Sequence, residues 1–215
     1  MNSKDLILVG GGAHCRSCID VIESQGEFKI IGIVDSTERL GQKVLGYEII
    51  ACDQDLPSLA AKHQYFLITI GGTTDYSRRV AIFEQLKELG ASFPVIISPL
   101  AYVSKTASIE EGTIVMHRSL VNTEAKIGKN CIINTMALVE HNTKVGDHCH
   151  ISAGGVINGS CTIGNKVFVG SNSVIADKLE IASDVVIGAG SFVAKSIQQP
   201  GIYIAPGKLV GICKV

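Results

Sequence analysis

Ile127-Gly128-Lys129-Asn130-Cys131-Ile132-Ile133-Asn134-Thr135-Met136-Ala137-Leu138-Val139-Glu140-His141-Asn142-Thr143-Lys144-Val145-Gly146 sets a β-branched residue at every sixth position. Extended both ways, the series runs Val103, Ile109, Val115, Val121, then Ile127 to Val145 as above, then Ile151, Ile157, Ile163, Val169, Ile175, Ile181, Ile187 and Val193. That makes sixteen successive positions with no insertion or deletion. Neither a helix nor ordinary strand alternation repeats at six. A fixed hexapeptide period predicts a parallel β-helix. The branched residue suits a packed, pleated interior. The residue after it is often Gly, Asp, Glu, Asn or Ala, so the corner of each hexad is expected there. The fifth position is mostly small (Ala125, Cys131, Ala137, Thr143, Cys149, Cys161, Ser173), which predicts a second, cramped inward site. Three hexads make a triangular coil of 18 residues, so sixteen give slightly more than five coils, a prism roughly 25 Å tall. Its ends need cover, and its flat faces are free to pack on copies of the chain.

Composition narrows the partners. The chain has 215 residues, a net charge of −1 and a hydrophobic fraction of 46%. It has neither a basic patch nor an acidic tail, which argues against nucleic acid and anionic membranes. The apolar run near the N-terminus is too short for a signal-peptide core or a membrane span, so a cytoplasmic protein is expected. Of seven cysteines, Cys131, Cys149 and Cys161 are accounted for as inward prism residues. Cys15 and Cys18 form a lone C-x-x-C with no second pair to complete a zinc site, so packing is the expected role and no metal is predicted.

Residues 1–98 follow another pattern. Leu6-Ile7-Leu8-Val9 reads as a buried strand, Gly10-Gly11-Gly12-Ala13-His14 as a tight loop, and Cys15 to Gln25 as a helix. Phe28 to Val34 predicts a second strand ending at Asp35, and Tyr65 to Ile70 a third closed by Gly71-Gly72. Ser77 to Leu89 predicts a helix capped by Gly90. Alternation of this kind gives a small Rossmann-like α/β domain, followed by the prism over residues 99–215. The glycine loop is suited to a phosphate at a helix N-terminus, with Asp35 placed for a ribose or base edge. It serves equally as a turn that needs glycine for steric reasons, and the local residues leave both open. A full dinucleotide fingerprint is not met: Cys15 stands where its third glycine belongs, and the domain is half-sized. That disfavours a nicotinamide oxidoreductase.

The Gly-Gly-Gly-Ala-His loop, Asp35, Ile70-Gly71 and the hexapeptide prism together resemble the hexapeptide-repeat sugar acetyltransferases. Within that family they look like the bacillosamine-pathway UDP-4-amino-sugar N-acetyltransferases, the dTDP-4-amino-sugar N-acetyltransferases and the sialic acid O-acetyltransferases. The resemblance implies a left-handed prism, a homotrimer with active sites between prisms, and acetyl-CoA as co-substrate. It implies N-acetylation of a UDP- or dTDP-linked 4-amino-4,6-dideoxy sugar, with sialic acid O-acetylation as the alternative. Carried over, the nucleotide-sugar positions are Gly12, Ala13, His14, Asp35, Ser36 and Gly71, with Ser36 where the UDP-sugar enzymes have a second acid. The acetyl-CoA positions are His150, Gly159, Ser171, Ala189 and Lys208, and Asn134 matches a residue lining the catalytic cleft.

Val139-Glu140-His141-Asn142 resembles the family's catalytic segment, which makes His141 the general base for direct transfer. The carboxylate that follows this histidine in the UDP-4-amino-sugar enzymes is Asn142 here, and Glu140 is expected to project elsewhere. One 18-residue coil beyond His141 lies Gly159, so the period sets the imidazole beside a residue with no side chain. The resulting notch would admit a thioester carbonyl, its oxyanion met by the Gly159 amide. His63 is expected on a surface helix or loop, and His117 as a solvated prism residue. Two other classes use such a prism: a γ-type carbonic anhydrase, which needs three histidines meeting zinc, and a non-catalytic sugar-nucleotide-binding scaffold.

Overall fold

The computed structural model describes residues 4–72, 75–204 and 208–211. They fall into two compact units, residues 4–72 with 77–96, and residues 75–76 with 97–204 and 208–211.

The first unit is a five-stranded sheet. Its elements are β1 (Lys4–Val9), α1 (Ala13–Gln25), β2 (Phe28–Val34), β3 (Lys43–Val44), β4 (Tyr47–Ala51), α2 (Leu56–Ala60), β5 (Tyr65–Ile68) and α3 (Ser77–Glu88), with strand order β3-β4-β2-β1-β5. Leu6, Ile7, Leu8 and Val9 are all fully buried, as a central strand flanked on both sides demands. The β1–α1–β2 and β2-to-β5 connections leave β1 in opposite directions, so a switch point opens at its carboxyl end. Gly26 ends α1 in a left-handed conformation (φ 73°), its N–H bonded to the Ile22 carbonyl at 3.0 Å. The β3–β4 hairpin was not predicted. β3 is only two residues long, and in β4 the exposed Ile50 between the buried Ile49 and Ala51 hides the alternation in the sequence.

The second unit is a left-handed parallel β-helix of three faces. Strands 18 residues apart pair in parallel: Val103 with Val121, Val121 with Val139, Val139 with Ile157, Ile157 with Ile175, and Ile175 with Val193. Three hexads per coil is therefore the observed winding. The first face includes Ile132–Ile133, His150–Ile151 and Phe168–Val169. The second includes Leu138–Val139 and Val156–Ile157, and the third Lys144–Val145 and Thr162–Ile163. The inward column is a continuous apolar core, and the fifth-position Ala125, Cys131, Ala137, Cys149 and Cys161 join it. Cys149 Sγ donates to the Gly164 carbonyl at 3.0 Å and Cys161 Sγ to Ala176 at 3.1 Å. Burial pushes both thiols up, away from the thiolate.

The corner differs from expectation. Positive φ falls at the fourth hexad position, at every sixth residue from Gly112 to Gly190, and most of these residues are not glycine. Glycine at the second position answers a different need, close approach of successive coils. A Cβ on Gly128 would lie 2.7 Å from the Gly146 carbonyl carbon, and one on Gly164 2.8 Å from that of Ala182. Asn130, Asn142 and Asn172 are among the residues that take the left-handed corner cheaply.

Candidate active site

His141 lies on the edge between the second and third faces, exposed, just after the Leu138–Val139 strand. Parallel pairing one coil apart sets Gly159 against it. A Cβ there would fall 2.6 Å from His141 Cε1 and 2.7 Å from Nε2, so the ring occupies the space a side chain would take. The notch is lined by Glu140, His141, Asn158, Gly159, Ser160, Asp177 and Lys178. His141 Nδ1 lies 3.1 Å from Asn142 Oδ1, and Asn142 Nδ2 donates to Glu124 Oε2 at 2.9 Å. Glu124 was not anticipated. It is one coil before Asn142, and adding 18 to its number was the only signal for it. Glu140 does not project elsewhere: its carboxylate turns back into the notch, where Oε2 accepts the His141 backbone N–H at 3.1 Å and Asn122 Nδ2 at 2.7 Å. It therefore holds the backbone under the imidazole.

The remaining prism positions gather on the opposite edge of the second face. Asn134 Nδ2 is 3.1 Å from His150 Nε2, and the His150 ring stands edge-on to Phe168 with centroids 5.2 Å apart. Ser171 Oγ is 2.9 Å from Ser152 Oγ, and Ala189 follows the next first-face strand on the same edge. Within one chain, Asn134, His150, Ser171 and Ala189 are thus together, and apart from His141, Asn142 and Gly159. His117 is not solvated; it is half-buried, with Nδ1 2.6 Å from Ser98 Oγ. His63 lies in the loop before β5, half-buried. The backbone of Lys208 belongs to the strand Lys208–Gly211, while residues 205–207 just before it lie outside the described residues.

In the α/β unit, the glycine loop, His14, Asp35, Thr69, Ile70 and Gly71 line a cavity of about 430 Å³ at the switch point, together with Arg39 and Arg78. Gly10 has φ 106°, and its missing Cβ makes room for the Ile70 backbone, whose N would lie at 3.0 Å. Thr69 Oγ1 donates to the Gly10 carbonyl at 2.6 Å, tying the end of β5 to the loop. A Cβ on Gly71 would lie 3.1 Å from His14 Cβ, and His14 Nε2 is 3.3 Å from the buried Cys18 thiol. Among the described residues Gly12 begins α1 with no side-chain cap, and a Cβ there would meet none of them within 4 Å. Asp35 is buried and already engaged: Oδ2 accepts the Gly11 N–H at 2.9 Å, and Oδ1 the Ser36 N–H at 2.8 Å. Arg39 forms an ion pair with the same carboxylate. The aspartate thus pins the loop and carries a guanidinium to the cavity. Sequence patterns single out the aspartate; the arginine four residues on, across a turn, has no motif. Arg78 pairs with Asp53 at 3.1 Å, and the buried Arg79 Nη1 donates to the Ile68 and Ile70 carbonyls at 2.8 and 2.9 Å, closing the end of β5.

Residues 5–86 match the family model of the PglD N-terminal domain, and residues 160–195 that of the bacterial transferase hexapeptide, six repeats. No curated protein matches the chain. Perosamine N-acetyltransferase from Caulobacter crescentus, solved as a histidine-to-asparagine variant with CoA and GDP-perosamine, is 27% identical with a TM-score of 0.89, over 96% of this chain and 97% of that one. The acetyltransferase domain of PglB from Neisseria gonorrhoeae FA1090, in complex with acetyl coenzyme A, is 26% identical with a TM-score of 0.89, over 97% of this chain and all (100%) of that one. WeeI from Acinetobacter baumannii AYE shares the fold at 19% identity and a TM-score of 0.84, covering 97% of this chain and 100% of its own. A PglD-type α/β unit over residues 5–86, hexapeptide repeats over residues 160–195 and near-complete overlap with two acetyltransferases show an acetyltransferase similar to the hexapeptide-repeat sugar acetyltransferases.

Proposed function

We propose that the protein transfers an acetyl group from acetyl-CoA to the amine of a nucleotide-diphosphate-linked 4-amino-4,6-dideoxy sugar, with His141 as general base. The observation that carries this is the imidazole seated against Gly159 on an open edge of the prism. In this reading the neutral sugar amine attacks the thioester carbonyl directly. His141 Nε2 takes the proton from the nitrogen, the Gly159 amide meets the oxyanion, and collapse expels the CoA thiolate, which receives that proton. The buried, carbonyl-bonded thiols of the prism support direct transfer over an acyl-enzyme. The relatives solved with CoA and a GDP-sugar, or with acetyl coenzyme A, support the substrate pair. Thiol release from acetyl-CoA against GDP-, UDP- and dTDP-linked 4-amino sugars and free sialic acid tests the reading. Release with none of the nucleotide sugars would overturn it, and release with sialic acid alone would make the reaction O-acetylation.

The α/β cavity is the proposed nucleotide site. Gly12 and the N-terminus of α1 face a phosphate, and Arg39, held by Asp35, supplies the cation. Replacing Arg39 with Ala is expected to raise KM for the nucleotide sugar about tenfold, the scale of one charge-assisted hydrogen bond, with KM for acetyl-CoA unchanged. Steady-state kinetics with each substrate varied in turn will check this.

Assembly is part of the same proposal. The outward row of the second face is apolar throughout: Tyr102, Leu120, Leu138, Val156, Val174 and Phe192, with Tyr102 59% and Phe192 58% exposed. The third face instead presents Ser108, Lys126, Lys144, Thr162 and Glu180. An apolar strip of that length fits packing against copies of the chain. It also separates the His141 edge from the Asn134 edge, so assembly through it brings the two edges of different copies to one interface. A trimer near three times 22.7 kDa is expected by light scattering, and Leu138→Glu with Val156→Glu should reduce it to a single subunit with loss of transfer. A monomeric, fully active wild type would overturn the shared site.

A further inference from the structure

We propose that Glu124 is a positioning residue for His141, acting through Asn142 to fix which ring nitrogen carries the proton; this rests on His141 being the base. Glu124 and Asn142 occupy the same left-handed corner on successive coils, with φ 58° and 60°. Their backbones are set by the Glu124 N–H to Thr106 Oγ1 (3.2 Å) and the Asn142 N–H to the Thr123 carbonyl (3.0 Å). An ionised carboxylate only accepts hydrogen bonds, so the Asn142 NH₂ must be the side of the amide that meets Glu124 Oε2 at 2.9 Å. The amide oxygen is then left for His141 Nδ1 at 3.1 Å, and an amide oxygen only accepts. Nδ1 must therefore carry the hydrogen. The lone pair of the neutral ring falls on Nε2, on the Gly159 side of the notch.

A simpler account of Asn142 is that asparagine suits a left-handed corner. That account covers the Asn142 backbone and says nothing of its side chain, whose NH₂ is bonded to Glu124 Oε2 at 2.9 Å. Nor does Glu140 supply the same orientation, since its Oε2 is engaged by the His141 and Asn122 N–H groups and addresses the backbone. Without Glu124, either face of the Asn142 amide could turn to the ring, and half of those arrangements would hold the proton on Nε2, where it blocks base catalysis.

Ring-¹⁵N-labelled histidine in the full, unliganded chain gives a readout that needs no substrate. At about pH 9, where an ordinary imidazole is neutral, the wild-type His141 signal (assigned by its loss in His141→Gln) should report the Nδ1–H form. Glu124→Gln, which can donate as well as accept, should give a mixture of both forms. Glu124→Asn, too short to reach but suited to the corner, should do the same. Turnover in both should fall roughly 3–10-fold with either KM within about twofold, and adding Glu124→Gln to Asn142→Ala should change nothing further. A wild-type Nε2–H ring, an unchanged Nδ1–H ring in both Glu124 variants, or a full Glu124→Gln loss on the Asn142→Ala background would overturn the proposal. Failure of every sugar in the transfer assay would sink the functional reading while leaving the tautomer result intact.

Discussion

His141→Ala is expected to lower turnover by about 10²–10⁴-fold, with both KM values little changed, when CoA thiol release is followed at saturating substrates. The ring is exposed and contributes no core packing, so the variant should melt within a few degrees of wild type. Loss of rate without loss of fold is what separates a base from a structural residue. A residual rate is expected because proximity and the backbone amide still act on a bound pair. His150→Ala makes the informative comparison. His150 is mostly buried against Phe168 and Asn134, so its loss should act through packing and acetyl-CoA binding, raising KM for acetyl-CoA more than it lowers turnover. Wild-type turnover in His141→Ala would remove the base from the mechanism and reduce the notch to a crease in the prism.

The prism was legible because its period is enforced by geometry at every coil. An inward Val or Ile cannot be displaced by one residue without moving all those stacked on it, so the series from Val103 to Val193 carries the winding on its face. The same arithmetic placed Gly159 on His141. Corners were misread because two different needs select similar residues. Glycine at the second position relieves contact with the next coil, while the left-handed turn sits two residues later and is met by Asn, Glu, Ser or Lys. In the α/β unit, strongly apolar strands and helices were readable, and the half-exposed β3–β4 hairpin was not. Arg39 and Glu124 were missed for a shared reason: each is placed by the side chain it pairs with, Asp35 and Asn142, and such a pairing leaves no motif of its own.

That distinction bears on the chemistry. A base needs a lone pair in the right place as well as a suitable affinity for protons. In this chain the orientation rests on three elements drawn from separate coils: Glu124 and Asn142 on one side of the ring, and the empty position 159 on the other. On the proposed reading, the hydrogen-bonded side fixes the tautomer. The glycine side fixes where the ring can lie.

Gly159→Ala therefore tests the second half of the arrangement, and a loss of about 10²-fold in turnover is expected. The new Cβ would fall 2.6–2.7 Å from ring atoms, inside any real contact distance, so the imidazole has to swing outward. Swinging out breaks the 3.1 Å contact with Asn142 and carries Nε2 away from the notch. Displacements of about 1 Å at a reacting group cost on this scale. The backbone should tolerate the change, because Gly159 is not among the positive-φ residues and its coil neighbours at the same hexad position, His141 and Asp177, carry side chains. Melting within a few degrees of wild type is the expected companion result, and calorimetry beside the rate assay reads both. Should the alanine variant keep its turnover, ring placement against position 159 has no part in catalysis. If it unfolds instead, the glycine is there for the coil and not for the histidine. Loss of rate with the fold intact is the outcome that ties the missing side chain to the base.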